Sequence, residues 1–199
     1  MGFEENPVSP CVFNMMINGS QATILLYVDD MLIAHRSKEV INNIMNSIDQ
    51  KYGKGSRLEG KVIEFLGMRI EKEDNGSVLV SMPKHINELL EEWKIDKISA
   101  YPAGHNLFDI DELSPSLSEE LAAKLHSGVA SALYIAKRGP RPDILLPINF
   151  LATRVTKSTQ QDLSKFLKTL KYLYGTKDLA MRRIRSFVML ICRCKLWST

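Results

Sequence analysis

Hydrophobic and polar positions recur along this chain with periods that change sharply, and the changes outline its elements. Cys11-Val12-Phe13-Asn14-Met15-Met16-Ile17 is a mostly apolar run that suits a strand. Asn18-Gly19 follows, a pair that accepts φ > 0 at both central positions of a hairpin turn. The run from Ala22 to Tyr27 is rich in β-branched and aromatic residues and predicts a strand buried on both faces. Two acids, Asp29 and Asp30, interrupt it, and Met31 to Ala34 leads out. Residues 11 to 35 therefore predict a three-stranded antiparallel meander with the acid pair at its second turn. After Ser37, a helix-capping residue type, apolar positions fall at Val40, Ile41, Ile44, Met45 and Ile48, the spacing of one helix face. Gly53-Lys54-Gly55 ends that helix. Its apolar face packed under the meander gives one core.

Glu64 to Ile70 predicts a further strand, Asp74-Asn75-Gly76-Ser77 a hairpin turn, and Val78 to Ser81 the return. Pro83 opens a helix through Trp93, with Ile86, Leu89, Leu90 and Trp93 along one face. Residues 96 to 115 hold little pattern and read as a linker. Ser116 to Glu119 matches a capping box before a helix running to about Arg138, within which Gly128 costs on the order of 1 kcal/mol relative to Ala. Pro142 opens another helix, which Pro147 is expected to kink. Ser158 to Gln161 is a second capping-box match, opening a helix that Gly175 ends.

The candidate chemistry lies at the acid pair. Two neighbouring carboxylates on an otherwise apolar hairpin repel each other, and burial disfavours their ionised form. A divalent cation between them removes both costs. Oxygen-only ligands point to a hard ion, Mg²⁺ or Mn²⁺. Asp is also a common turn residue, so a solvated turn is the plain alternative. Elsewhere His35, His85, His105 and His126 are scattered with no nucleophile at useful spacing, and no glycine-rich phosphate loop is present.

Tyr27-Val28-Asp29-Asp30 between apolar runs resembles the Tyr-x-Asp-Asp motif of reverse transcriptases, and Tyr27 to Ala34 resembles its form in copia-type LTR retrotransposons. Further segments resemble that family in order: Phe65-Leu66-Gly67-Met68-Arg69-Ile70, Ser131 to Ala136, Arg141-Pro142-Asp143-Ile144, and Leu170 to Lys177. The resemblance spans roughly residues 7 to 181. It implies an α+β fold: an antiparallel palm-type sheet with a packed helix, then a mostly helical thumb-like region. It implies RNA-directed DNA synthesis with Asp29 and Asp30 as catalytic metal ligands, Tyr27 and Val28 supporting the hairpin, and Phe65, Leu66, Gly67 and Met68 as primer-grip-like residues of the second hairpin. The implied partners are an RNA or DNA template-primer and deoxynucleotides.

Several features depart from the family. Residues 1 to 28 contain no Asp, so the expected upstream carboxylate is missing, and so are the basic fingers. Gly128 and Ala130 stand where the family usually has Leu and Gly. Beyond about Met181 the resemblance stops, which suggests an unrelated tail from a truncated or shifted reading frame. The chain is thus expected to be inactive alone and to depend on a missing fingers and upstream-palm segment. An accessory nucleic-acid-binding fragment and a degenerate relic with an exposed sheet edge are the alternatives.

Composition adds less. The 199 residues are 45% hydrophobic and 25% charged, as in ordinary globular chains. No run approaches the roughly 20 apolar residues of a membrane span, and no secretory leader is visible, so an intracellular, cytoplasmic protein without a membrane partner is expected. The three cysteines lack zinc spacing and read as reduced thiols. The net charge of +3 is uneven: from Lys168 onward eight basic residues face one acid, leaving −4 on the rest. Lys168, Lys171, Lys177, Arg182, Arg183 and Arg185 are candidate phosphate contacts. The boundaries expected are a partial palm over 1–95, a linker over 96–115, a helical region over 116–181 and a basic tail over 182–199.

Overall fold

A computed structural model describes residues 1–183 and 188–193, with side chains up to Arg182 and at Cys192. The fold is α+β, with two antiparallel sheets and five α-helices among the described residues. It divides into two compact units, Met1–Leu79 with the residues from Arg182 onward, and Val80–Met181. These boundaries differ from those read in the sequence. The helix beginning at Pro83 falls in the second unit, and the residues after Met181 return to the first.

The first unit is built on β1 (Glu4–Glu5), β2 (Val12–Ile17), β3 (Ser20–Tyr27) and β4 (Asp30–His35), then α1 (Lys38–Tyr52) and β5 (Ser56–Leu58). Asn18 (φ 51°) and Gly19 (φ 73°) form the two-residue turn between β2 and β3, with Ile17 opposite Ser20. Side chains alternate across these strands. Ala22 and Ile24 of β3 and Met31 and Ile33 of β4 meet Val40, Ile41, Ile44, Met45 and Ile48 of α1 in one core. Full burial of each large aliphatic side chain contributes about 1.5–3 kcal/mol. Thr23, Leu25 and Leu26 are only partly covered, so β3 buries one face rather than two. With α1 on one side, period-2 alternation suffices. Ser37 and Gly53 flank α1, but the Ser37 side chain makes no capping hydrogen bond.

The tail is not separate from this sheet. Val188–Arg193 forms β10, and the strand order is β1-β2-β3-β4-β10-β5. All six residues of β4 have a register partner in β10, from Val188 opposite His35 to Arg193 opposite Asp30. On its other side Ile191, Cys192 and Arg193 pair with Leu58, Arg57 and Ser56. Cys192 is buried in the core with α1. The bare sheet edge that the relic alternative expects is thus not at β4, which is paired on both sides. Val188-Met189-Leu190-Ile191-Cys192-Arg193 is β-favouring, and an open edge is a template for such a run.

A second sheet has the order β6 (Val62–Phe65), β7 (Met68–Lys72), β8 (Val78–Ser81), β9 (Met181–Arg183). The single strand expected over Glu64–Ile70 is instead a tight hairpin. Leu66 (φ 50°) and Gly67 (φ 73°) turn the chain, with Phe65 opposite Met68.

The second unit contains α2 (Pro83–Glu92), α3 (Glu119–Lys137), α4 (Leu145–Ala152) and α5 (Gln160–Gly175). Its core joins Ile86, Leu89 and Leu90 to Leu125, Val129, Ala132 and Ile135, to Ile148 and Leu151, and to Phe166, Leu170 and Leu173. Gly128 has a packing reason. A Cβ there would lie 2.8 Å from Trp93 Nε1 and 2.9 Å from Phe166 Cζ, whose rings meet edge to face. Both capping boxes shift. Ser118, not Ser116, caps α3 and accepts from Leu121 N. Thr159, not Ser158, caps α5, in a reciprocal pair with Asp162. Pro147 is the third residue of α4, where an amide would have no partner within that helix, so the proline is tolerated. Residues 96–115 are not a linker between units. They run along α5: Thr169 Oγ1 donates to Pro102 O at 2.9 Å, and the amides of Gln160 and Gln161 donate to Pro115 O and Ser114 Oγ. Free amides at the start of a helix need such acceptors, and this strap supplies them.

Candidate metal-binding hairpin

Tyr27 and Asp30 are register partners, leaving Val28 and Asp29 as the two central residues of the turn between β3 and β4. Val28 has φ 53°, the left-handed region. A β-branched residue there is a genuine outlier, with a cost of about 1–3 kcal/mol. Its side chain is 64% exposed, so burial does not offset the cost. The other two tight turns also place a non-glycine residue at positive φ in the first central position, Asn18 and Leu66, but follow it with a glycine, where this turn has Asp29. Such strain persists where the surroundings over-determine it, and it clusters at functional sites.

The turn carries its acids at two depths. Asp29 is exposed at the tip, and Asp30 is half-buried at the start of β4. Tyr27, 56% exposed, stands at the end of β3. The oxygen donors of Asp29 and Asp30 fit a hard cation, which takes one or two carboxylates and completes its shell with water and phosphate oxygens. Among the described residues no group of three or more His, Cys, Asp or Glu side chains is placed to hold a metal. The pair therefore supplies only part of such a shell.

The turn over Phe65–Met68 presents its residues unequally. Phe65 is buried and anchors the hairpin. Gly67 is exposed at the tip, and Leu66 and Met68 are half-buried. Among the candidate phosphate contacts, Lys168 and Lys177 are exposed and Lys171 is half-buried on α5. Lys177 Nζ lies 5.5 Å from the centre of the Tyr174 ring. Arg182 is exposed and pairs with Glu73 at 3.0 Å. Arg183 lies in β9, and its side chain falls outside the description, as Arg185 does altogether.

Two segments singled out in the sequence meet in space. Arg141 is 1% exposed, and its guanidinium donates to both oxygens of Asp143 (3.0 and 2.7 Å), to Thr176 O (2.8 Å) and to Thr176 Oγ1 (2.6 Å). Tyr172 Oη donates to Asp143 Oδ2 at 2.9 Å. Burial pushes the Asp143 carboxyl up, but the hydrogen bonds from Arg141 and Tyr172 outweigh it and hold it below the ordinary range. The same bond to Asp143, helped by burial, raises the Tyr172 hydroxyl. This clasp ties the segment before α4 to the end of α5. Nothing in the spacing of the two motifs along the chain reveals it.

The chain is 27% identical over 161 residues to the transposon Ty5-1 protein of Saccharomyces cerevisiae, covering 80% of this chain and 51% of that protein. It is 27% identical over 175 residues to the retrovirus-related Pol polyprotein from transposon TNT 1-94 of Nicotiana tabacum, covering 84% of this chain and 13% of the polyprotein. It is likewise 27% identical over 184 residues to the Pol polyprotein from transposon RE1 of Arabidopsis thaliana, covering 89% and 12%. No family profile and no solved structure matches. The chain thus spans about half of the first of these relatives and a small part of the others. The similarity is to retrotransposon polyproteins of the Ty and copia type, and it supports a transposon-derived segment.

Proposed function

We propose that this chain carries the metal-binding hairpin and the primer-contacting region of an RNA-directed DNA polymerase of copia type. The observation that supports this most is the turn at Val28. An exposed β-branched residue is held in the left-handed region where glycine would be easier, and the turn it makes carries two adjacent carboxylates. In the proposed reaction a primer 3′-hydroxyl attacks the α-phosphate of a deoxynucleotide and displaces pyrophosphate. Bound Mg²⁺ or Mn²⁺ would activate the attacking oxygen and stabilise the leaving one. Asp29 is the principal ligand in this reading and Asp30 its helper. Tyr27 and Val28 set the hairpin's shape near the primer end. The tip over Leu66–Met68 positions the primer, with Phe65 as its internal anchor. Lys168, Lys171 and Lys177 meet nucleic-acid phosphates, contacts that position without reading sequence.

The pair is part of a metal shell, so the reading requires a further carboxylate and a nucleotide clamp from another polypeptide segment. The purified 199-residue chain alone is expected to incorporate no nucleotide. The test is primer extension on an RNA template with Mg²⁺ or Mn²⁺, with and without an added fingers and upstream-palm polypeptide from a related transposon. Extension only with the addition supports the reading. No extension with an addition shown to bind the chain contradicts it.

A further inference from the structure

The edge of β4 carries an inference that rests on that reading. β4 begins at Asp30 and has two edges. β3 occupies one from Asp30 to Ala34, with Tyr27 opposite Asp30. A further strand reaches the flank of Asp30 only at the other edge, and β10 lies there in full register. The residue β10 brings opposite Asp30 is Arg193, whose neighbour on the far side is Ser56. Directly opposed residues on antiparallel strands interact, opposite charges favourably and like charges unfavourably. The register thus places a basic residue type, not an acid, in the strand position beside Asp30.

We propose that β10 is an autoinhibitory strand: it occupies the β4 edge from which a second polypeptide's acid-bearing strand would complete the Asp29–Asp30 site, and it must leave before that site assembles. The partner is defined by its chemistry. It is an extended, largely apolar strand with an Asp or Glu in register with Asp30, bound by strand addition. With β10 in place, the position in register with Asp30 holds an arginine rather than an acid. With an acid at position 193, the two facing carboxylates repel each other until a divalent ion joins them.

The test uses the full chain and two readouts. Hydrogen exchange follows the β4 amides in the wild type and in Leu190→Pro, since proline removes a ladder donor and disfavours a central strand position. The α5 amides report whether the second unit stays folded. Paramagnetic resonance titration with Mn²⁺ follows metal binding in the wild type and in Arg193→Asp, each with and without Asp29→Asn. The expected result is β4 protection in the wild type and its loss in Leu190→Pro with α5 still protected. The Mn²⁺ affinity that depends on Asp29 should rise at least tenfold in Arg193→Asp. Unchanged β4 protection in Leu190→Pro overturns the proposal. So does Asp29-dependent Mn²⁺ binding of equal strength with Arg or Asp at position 193, a result that leaves the polymerase reading standing. No Asp29-dependent binding in either background defeats the polymerase reading itself and the proposal with it.

Discussion

The Tyr172 hydroxyl donates a 2.9 Å hydrogen bond to the Asp143 carboxylate, which also takes two hydrogen bonds from the buried Arg141. Arg141 also donates twice to Thr176, so the end of α5 and the segment before α4 share one polar network. Removing one member of a buried charged network leaves its partners unpaired, at a cost of about 3–5 kcal/mol for a full buried pair. Arg141→Ala is expected at the low end of that range, because Asp143 is partly exposed. Tyr172→Phe, which deletes one neutral donor, should cost about 1–2 kcal/mol. Urea unfolding followed in the second unit measures both. Equal losses for the two variants would contradict this division of labour.

The same network sets a pH window. Asp143 is depressed in the folded state, so its contribution is full above about pH 4, the unfolded value, and is lost as pH falls through the folded one. Tyr172 is raised, so its contribution is full below about pH 10 and is lost as pH rises through its folded value. Stability of the second unit should therefore decline at both ends, and Asp143→Asn should flatten both limbs. Wild-type and variant urea midpoints measured from pH 3 to 11 decide it. Parallel curves would remove Asp143 as the cause.

At the hairpin tip the strain itself is testable. Val28→Gly relieves the left-handed backbone and raises the freedom of the unfolded chain, so the two effects partly cancel. The expected outcome is a stability change between zero and a gain of about 1 kcal/mol, where a glycine in an ordinary strand would be destabilising. A loss above that size would mean that the Val28 side chain makes a contribution its exposure does not suggest.

Gly128 should resist even a small addition. Gly128→Ala improves helix propensity by about 1 kcal/mol, but its methyl would press on Trp93 and Phe166, and overpacking costs about 1–3 kcal/mol. A net loss with a changed tryptophan emission is expected. A gain in thermal midpoint would show that the two rings give way freely.

What was legible in the sequence follows the range of the interaction. The α1 boundaries at Ser37 and Gly53, the Asn18-Gly19 turn and the α1 face are signals spanning one or two turns, and they appear where the pattern placed them, although the Ser37 side chain makes no capping bond. The turn at Leu66-Gly67 was hidden because leucine is not a turn residue and the flanking run reads as one strand. The capping boxes slipped by one or two residues because several adjacent side chains can cap and only the helix's first amide selects among them. Residues 96–115 have no period, yet they lie against α5 because its initial amides need acceptors. Strand β10 was least legible of all. Its pairing with β4 joins segments far apart in the chain, and nothing local to either announces the other. At the site, the acid pair could be read from its residues. The strain at Val28 and the register of Arg193 with Asp30 needed the backbone.

The proposed role of Asp29 as a ligand to a catalytic metal ion is tested by primer extension with the complementing fingers and upstream-palm polypeptide. The expected result is divalent-ion-dependent extension by the wild-type chain in that mixture and at least a hundredfold loss for Asp29→Asn, with binding of the two polypeptides unchanged. Asp30→Asn should lose less. Equal extension by wild type and Asp29→Asn would contradict the account.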